Sequence, residues 1–213
     1  MNNDMKRIVL LVIAVVFVFS ITNAQDNRST LRFGPKAGLN LANVYDTEGE
    51  EFDAEAKIGF VAGAFAAIPI GKFLGFHPEL LYSQKGFQAS GSVLGSAYTF
   101  TRTLNYIDIP LLIAVKPTPG FTILAGPQYS YLMSKKDVFT NSFLNTEDQE
   151  EFENENLRKN TLCFLGGFDV NVSRFVFGAR VGWDLFQNNG DGTSTTPRYK
   201  NVWYQATIGF SIF

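Results

Sequence analysis

The residues of this chain that could do chemistry are spaced by even numbers along apolar-rich segments. Arg32 and Lys36 form one set, His77, Glu79 and Lys85 a second, Arg102, Tyr106 and Asp108 a third, and Arg180 and Asp184 a fourth, with Asp169 on a further segment. On an extended strand, positions two apart point to the same side, so each set lies on one face. Facing one another, such sets could form an acid–base site, the constriction of a pore, or a network of ion pairs. Isolated buried charges are costly and are normally paired, which favours the network. His77 beside Glu79 has the types needed for proton transfer, but that pairing is too common to indicate catalysis. His77 is the only histidine, which excludes a two-histidine metal site. Neither a Gly-x-Ser-x-Gly nor a His-Glu-x-x-His pattern occurs, so no catalytic, cofactor-binding or metal-ligating residue is expected.

The segments that carry these charges repeat one pattern. Leu31, Phe33, Pro35, Ala37, Leu39 and Leu41 alternate with Arg32, Gly34, Lys36, Gly38 and Asn40. The same apolar–polar alternation begins again at Ile58, Leu74, Ile107, Phe121, Leu162, Phe175 and Val202. In the last of these, Trp203 and Phe213 break the polar face. Each segment approaches the ~9–11 residues with which a tilted strand crosses a bilayer. Short connections fall around Gly71 and Lys72, at Pro117 to Gly120, and at Ser173 and Arg174. Long ones are expected over 42–56, 86–98, 136–160 and 188–200. Strict alternation of short and long connections predicts an all-β, eight-stranded antiparallel up-and-down transmembrane β-barrel.

A soluble lipocalin-type barrel would reverse the two faces, with its apolar side chains inside. Here glycines are interspersed with charges of both signs. Gly34, Gly38, Gly59, Gly63, Gly178 and Gly182 would weaken a water-facing strand, whereas in a narrow lumen they make room for long side chains. An arginine at Ile109 or Val181 should then harm assembly, and a serine at Gly178 should be milder.

The start of the chain fits export. Lys6 and Arg7 precede the apolar run 8–19, and Thr22 and Ala24 stand where a signal peptidase cuts. Residues 1–24 are therefore read as a signal peptide and 25–213 as the barrel domain. The apolar run is shorter than the ~20 residues of a spanning helix. A net charge of −2 gives no reason to expect nucleic acid. Aromatics at 15% and 19 glycines are unusual for a soluble globular chain and agree with a barrel in lipid. The lone Cys163 is read as a small packing residue.

The stretches "HPELLYSQKGF" (77–87), "NYIDIPLLIAVKP" (105–117) and "ILAGPQYSYLM" (123–133), with "GPKAGLNLANV" (34–44) and the aromatic final strand, resemble the PorT-like outer-membrane β-barrel family of Bacteroidota. The resemblance spans nearly all of residues 25–213. It implies the cell outer membrane, with both termini periplasmic and the long loops extracellular. It also implies contact with outer-membrane lipid, with the barrel assembly machinery, and with envelope or secretion proteins. Phe210 and Phe213 would carry the C-terminal assembly signal, although Phe213 falls in phase with Gly209 and Ser211.

The expected function is a structural or interaction role without enzymatic activity. A lumenal charge network of Arg32, Lys36, Glu79, Lys85, Arg102, Asp108, Asp169, Arg180 and Asp184 would plug the barrel. A narrow passive channel is the second reading, and a soluble periplasmic ligand binder the third. The acidic connection 136–160 fits no calcium-loop spacing.

Overall fold

The computed structural model describes residues 26, 28–45, 54–93, 96–141, 144–148, 157–188 and 199–212. The expected signal peptide and Phe213 lie outside them. The strands are β1 (Arg32–Tyr45), β2 (Ala54–Pro69), β3 (Leu74–Val93), β4 (Ser96–Thr118), β5 (Phe121–Asn141), β6 (Leu144–Asp148), β7 (Asn160–Val172), β8 (Phe175–Asp184) and β9 (Lys200–Phe210). All neighbouring pairs are antiparallel, in the order β4-β3-β2-β1-β9-β8-β7-β5, and the additional β4–β5 pairing closes the ring. The first and last ring strands pair from Lys36↔Gly209 to Tyr45↔Lys200, so every ring strand has two neighbours and the ring itself has no open edge. β6 pairs only with β5 and stands outside the ring.

The alternation fixes the inside and the outside. On β1, Arg32, Lys36 and Asn40 are buried while Phe33, Leu39 and Leu41 are exposed. On β9, Asn201, Gln205 and Thr207 are buried while Tyr204 and Ile208 are exposed. Tyr204 at 63% and Ile58 at 67% exposure have no protein to pack on. The charged face is the one that closes on itself, and the apolar face is the one left open. A soluble ligand-binding barrel has the opposite arrangement.

Two of the expected long connections, 86–98 and 136–160, are corrected by the structure, while most of 42–56 and 188–200 lies outside the described residues. β3 runs on to Val93 and β4 starts at Ser96, paired without interruption from Phe87↔Arg102 to Val93↔Ser96. β5 likewise continues to Asn141 and then pairs with β6. Gly and Ser in "GFQASGSVLGSAYTFTRT" (86–103) look like loop signals, but cross-strand aromatic contacts hold the hairpin together. Phe87 and Phe100 lie 6.0 Å apart, and Tyr98 stacks on Phe139 at 5.5 Å. Gly86 has a φ of 145°, disfavoured for any residue with a Cβ, and β3 stays paired to β2 past it as far as Ala54↔Ala89. The short connections are as expected, and Ser173 takes a φ of 54° in the turn between β7 and β8.

Inside the ring, small residues make space for large ones. A Cβ at Gly182 would stand 2.4 Å from the ring of Trp203, so only glycine lets that fully buried indole lie flat against β8. Trp203 joins Ala42, Leu112, Ala114, Leu124, Cys163 and Leu165 in an apolar layer within the lumen.

Candidate functional site

The lumen is the candidate site. Its charges divide into separate groups along the barrel axis rather than forming the single network expected from the sequence.

Toward the short-turn end, four strands each contribute one charged side chain. Lys36 Nζ on β1 donates to Glu79 Oε1 on β3 at 2.7 Å. Arg180 Nη1 on β8 donates to the other oxygen of the same carboxylate at 2.8 Å. Arg180 Nη2 reaches Asp169 on β7 at 3.2 Å. Each of these residues is 4% exposed or less. Two cations and two carboxylates balance, which is the condition for burying charge at tolerable cost. His77 stacks on Phe65 with centroids 5.5 Å apart, and its Nε2 is 3.1 Å from Glu79 Oε1.

Above this group, Asn40 Nδ2 donates to Ser83 Oγ at 3.0 Å and Gln205 Nε2 to Asn40 Oδ1 at 3.1 Å. Lys85 then pairs with Asp108 at 2.9 Å. Its ammonium sits 3.8 Å from the ring centroid of Trp203 and 4.8 Å from that of Tyr106, so cation–π attraction holds it as well as the carboxylate does.

Asp184 forms no salt bridge with Arg180, whose carboxylate partners are Glu79 and Asp169. Asp184 Oδ2 accepts from the Asn201 backbone at 3.0 Å, from Asn201 Nδ2 at 2.6 Å and from Asn188 Nδ2 at 3.3 Å. Its Oδ1 accepts from Cys163 Sγ at 3.1 Å. Arg180 and Asp184 are four residues apart on one strand, roughly 13 Å at ~3.3 Å per residue, beyond the reach of either side chain. Asp108, on β4, is paired with Lys85, and the salt bridges of Arg180 go to Glu79 and Asp169. Cys163, read as a packing residue, is also a hydrogen-bond donor in the lumen.

Arg102 belongs to the opposite mouth. It forms a two-pronged pair with Asp137 of β5, Nε to Oδ1 at 2.8 Å and Nη2 to Oδ2 at 2.6 Å, and donates to the Tyr199 hydroxyl at 3.0 Å. Lys135 adds a contact to Asp137 at 3.2 Å. Beneath them Leu157 packs on Leu104, Tyr106 and Leu132, with Tyr199 alongside. Asp137, Lys135, Leu157 and Tyr199 fall within or at the edge of stretches read as loops. The signal for Asp137 was its register opposite Arg102 once the hairpin is extended.

Arg32 sits at the short-turn mouth and contacts no carboxylate among the described residues. It donates to Ser211 Oγ at 3.3 Å and Asn171 Oδ1 at 3.0 Å. Over this mouth lies the segment before β1. Arg28 Nη1 donates to the Pro117 carbonyl at 3.1 Å, and its guanidinium is 5.0 Å from the Phe73 ring centroid. Asp26 pairs with Arg28 at 2.8 Å and with Lys72 at 3.0 Å. Hydrogen bonds from Arg28 and then Lys72 hold the Asp26 carboxyl well below the usual carboxylate range. Both ends of the lumen are therefore covered by the chain itself. Phe210, expected to carry part of the assembly signal, faces outward at 38% exposure, edge-on to Phe175 at 5.5 Å.

Among the described residues no three His, Cys, Asp or Glu side chains are grouped to hold a metal ion. The sequence model of a family described as "Outer membrane protein beta-barrel domain" matches residues 23–189, ending before β9. No curated protein matches the sequence. Ail, the attachment invasion locus protein of Yersinia pestis, aligns with a TM-score of 0.45 and 11% identity, over 85% of this chain and 98% of that one. Neisserial surface protein A aligns at 0.42 and 11%, over 84% and 96%. OprG of Pseudomonas aeruginosa aligns at 0.34 and 13%, over 85% and 92%.

Proposed function

Because the chain belongs to the outer membrane protein β-barrel domain family, we propose that it is a non-enzymatic structural or interaction protein, with a plugged lumen and its working surface on the strand extensions. One observation carries this reading. The lumen is crossed by buried, charge-balanced pairs from β1 through β3 and β8 to β7, which hold Lys36, Glu79, Arg180 and Asp169 against one another. Eight strands give an interior just wide enough for side chains to fill. The long extensions of β3, β4 and β5 are what remains available to a partner. In this reading the short-turn end and both termini face the periplasm, the extensions face outward, and the final strand with Phe210 is presented to the assembly machinery. Envelope or secretion components are the class of partner.

Reconstitution tests the plug. Proteoliposomes containing the full chain should release a trapped small solute no faster than protein-free liposomes. Release that rises in proportion to the protein incorporated would favour a passive channel and overturn the proposal.

A further inference from the structure

Two buried cations meet at the short-turn mouth without a counter-ion. Arg32 is 8% exposed and Lys116 7%. Arg32 engages Nε and Nη1 with Ser211 and Asn171, while its buried Nη2 has no hydrogen-bond partner. Lys116 Nζ donates to the backbone carbonyl of Arg28 at 2.8 Å. These partners are all neutral, and among the described residues neither cation forms a salt bridge. The lumenal cations Lys36, Lys85 and Arg180 each have a carboxylate. Burying like charges together is unfavourable unless something of opposite sign joins them.

The space between them exists. Arg32 and Lys116 line one depression, together with Arg28, Thr30, Thr122 and Asp169. Asp169 does not supply the missing charge, because Arg180 holds it at 3.2 and 3.4 Å. Asp26, the acid of the covering segment, is taken by Arg28 and Lys72. Thr122 Oγ1 accepts from Asn171 Nδ2 at 3.3 Å, which leaves its own proton to donate.

We infer that this depression binds a small phosphate-type oxyanion, held by Arg32 Nη2, Lys116 Nζ and the Thr122 hydroxyl. A guanidinium edge and a flexible ammonium together suit a tetrahedral oxyanion. The anion comes either from solution on that side of the membrane or from a lipid headgroup at the rim.

The full chain, purified in detergent and stripped of lipid, is dialysed against radiolabelled inorganic phosphate at constant ionic strength with chloride as the balancing salt. Saturable binding is expected, with a matching rise in the unfolding midpoint. Arg32→Gln and Lys116→Gln should each weaken it about tenfold through loss of a charged hydrogen bond, while Lys57→Gln on β2 should leave it unchanged. Dispersed phosphatidylglycerol distinguishes the sources: displacement of the label assigns the site to a headgroup, and retention assigns it to the free ion. No saturable binding by the unsubstituted protein, or undiminished binding in both variants, would overturn the inference. Should Arg32→Gln fail to fold, the unsubstituted protein and Lys116→Gln still decide.

Discussion

Arg180 on β8 donates Nη1 to Glu79 Oε2 on β3 at 2.8 Å, across the lumen and with both side chains fully enclosed. Strands that are not neighbours in the ring are thereby tied through its centre. The consequences of breaking the tie are specific, because the two carboxylates on Arg180 are not equivalent. Glu79 also has Lys36, whereas Asp169 makes no other salt bridge among the described residues.

Arg180→Met should lower the unfolding midpoint in detergent, by about 3–5 kcal/mol if the site is dry. Adding Asp169→Asn should restore part of that loss, and more of it than adding Glu79→Gln. Asp184→Asn and Asp108→Asn should be additive with Arg180→Met, since neither carboxylate touches the guanidinium. Double-mutant cycles read the coupling directly. Coupling to Asp184 in place of Asp169 would contradict the assigned partners.

Arginine at Ile109 or Val181 should impair membrane assembly, costing about 2–4 kcal/mol near the bilayer midplane. Recovery of folded, heat-modifiable protein in the outer-membrane fraction measures it. Gly178→Ser, which the sequence suggested would be milder, is also expected to be harmful. A Cβ there would lie 2.5 Å from Thr207 Oγ1 and 2.7 Å from Asp169 Oδ1, and Asp169 cannot yield without leaving Arg180.

The two tryptophans report opposite sides of the wall. Trp183 packs on Phe164 at 5.3 Å on the outer face, while Trp203 is fully buried over Lys85. In bilayers of brominated lipid, fluorescence from a Trp203→Phe variant, which keeps only Trp183, should be strongly quenched. A Trp183→Phe variant should be quenched much less. Equal quenching would mean that the two faces of β8 and β9 are wrongly assigned.

The covering segment should respond to acid and to salt. Asp26 has a lowered folded-state pKa, so its contribution is present above the ordinary carboxylate range. It fades as pH falls below about 4. Being exposed, the pairs with Arg28 and Lys72 are also screened by salt. Protease sensitivity around Arg28 should therefore increase below pH 4 or at high salt, with the barrel intact. Asp26→Asn should show that sensitivity at neutral pH, and a segment equally protected under all three conditions would contradict these contacts.

The ring was legible because one physical rule, period-two alternation, governs every strand in it. Arg32, Lys36, Glu79, Lys85, Asp108, Asp169, Arg180 and Asp184 could be placed on the inner face from the same rule. Their partners could not, because alternation fixes the face of a side chain and leaves its height along the barrel axis to register and tilt. That is why Arg180 finds Glu79 and Asp169, and Asp184 finds Asn201 and Cys163. The extension of β3 and β4 was hidden by Gly86, Gly91 and the serines around them, whose loop propensity is outweighed by aromatic contacts visible only once the strands are paired. The pair Arg102–Asp137 went unseen for the same reason.

Single-channel recording in a planar bilayer tests the plugged lumen most directly. With both mouths covered and Lys36, Glu79, Asp169 and Arg180 bonded across the interior, the purified full chain should insert without stable conductance steps. Reproducible unitary steps from the unsubstituted protein, persisting after exhaustive removal of contaminating porins, would contradict a sealed lumen and establish a channel.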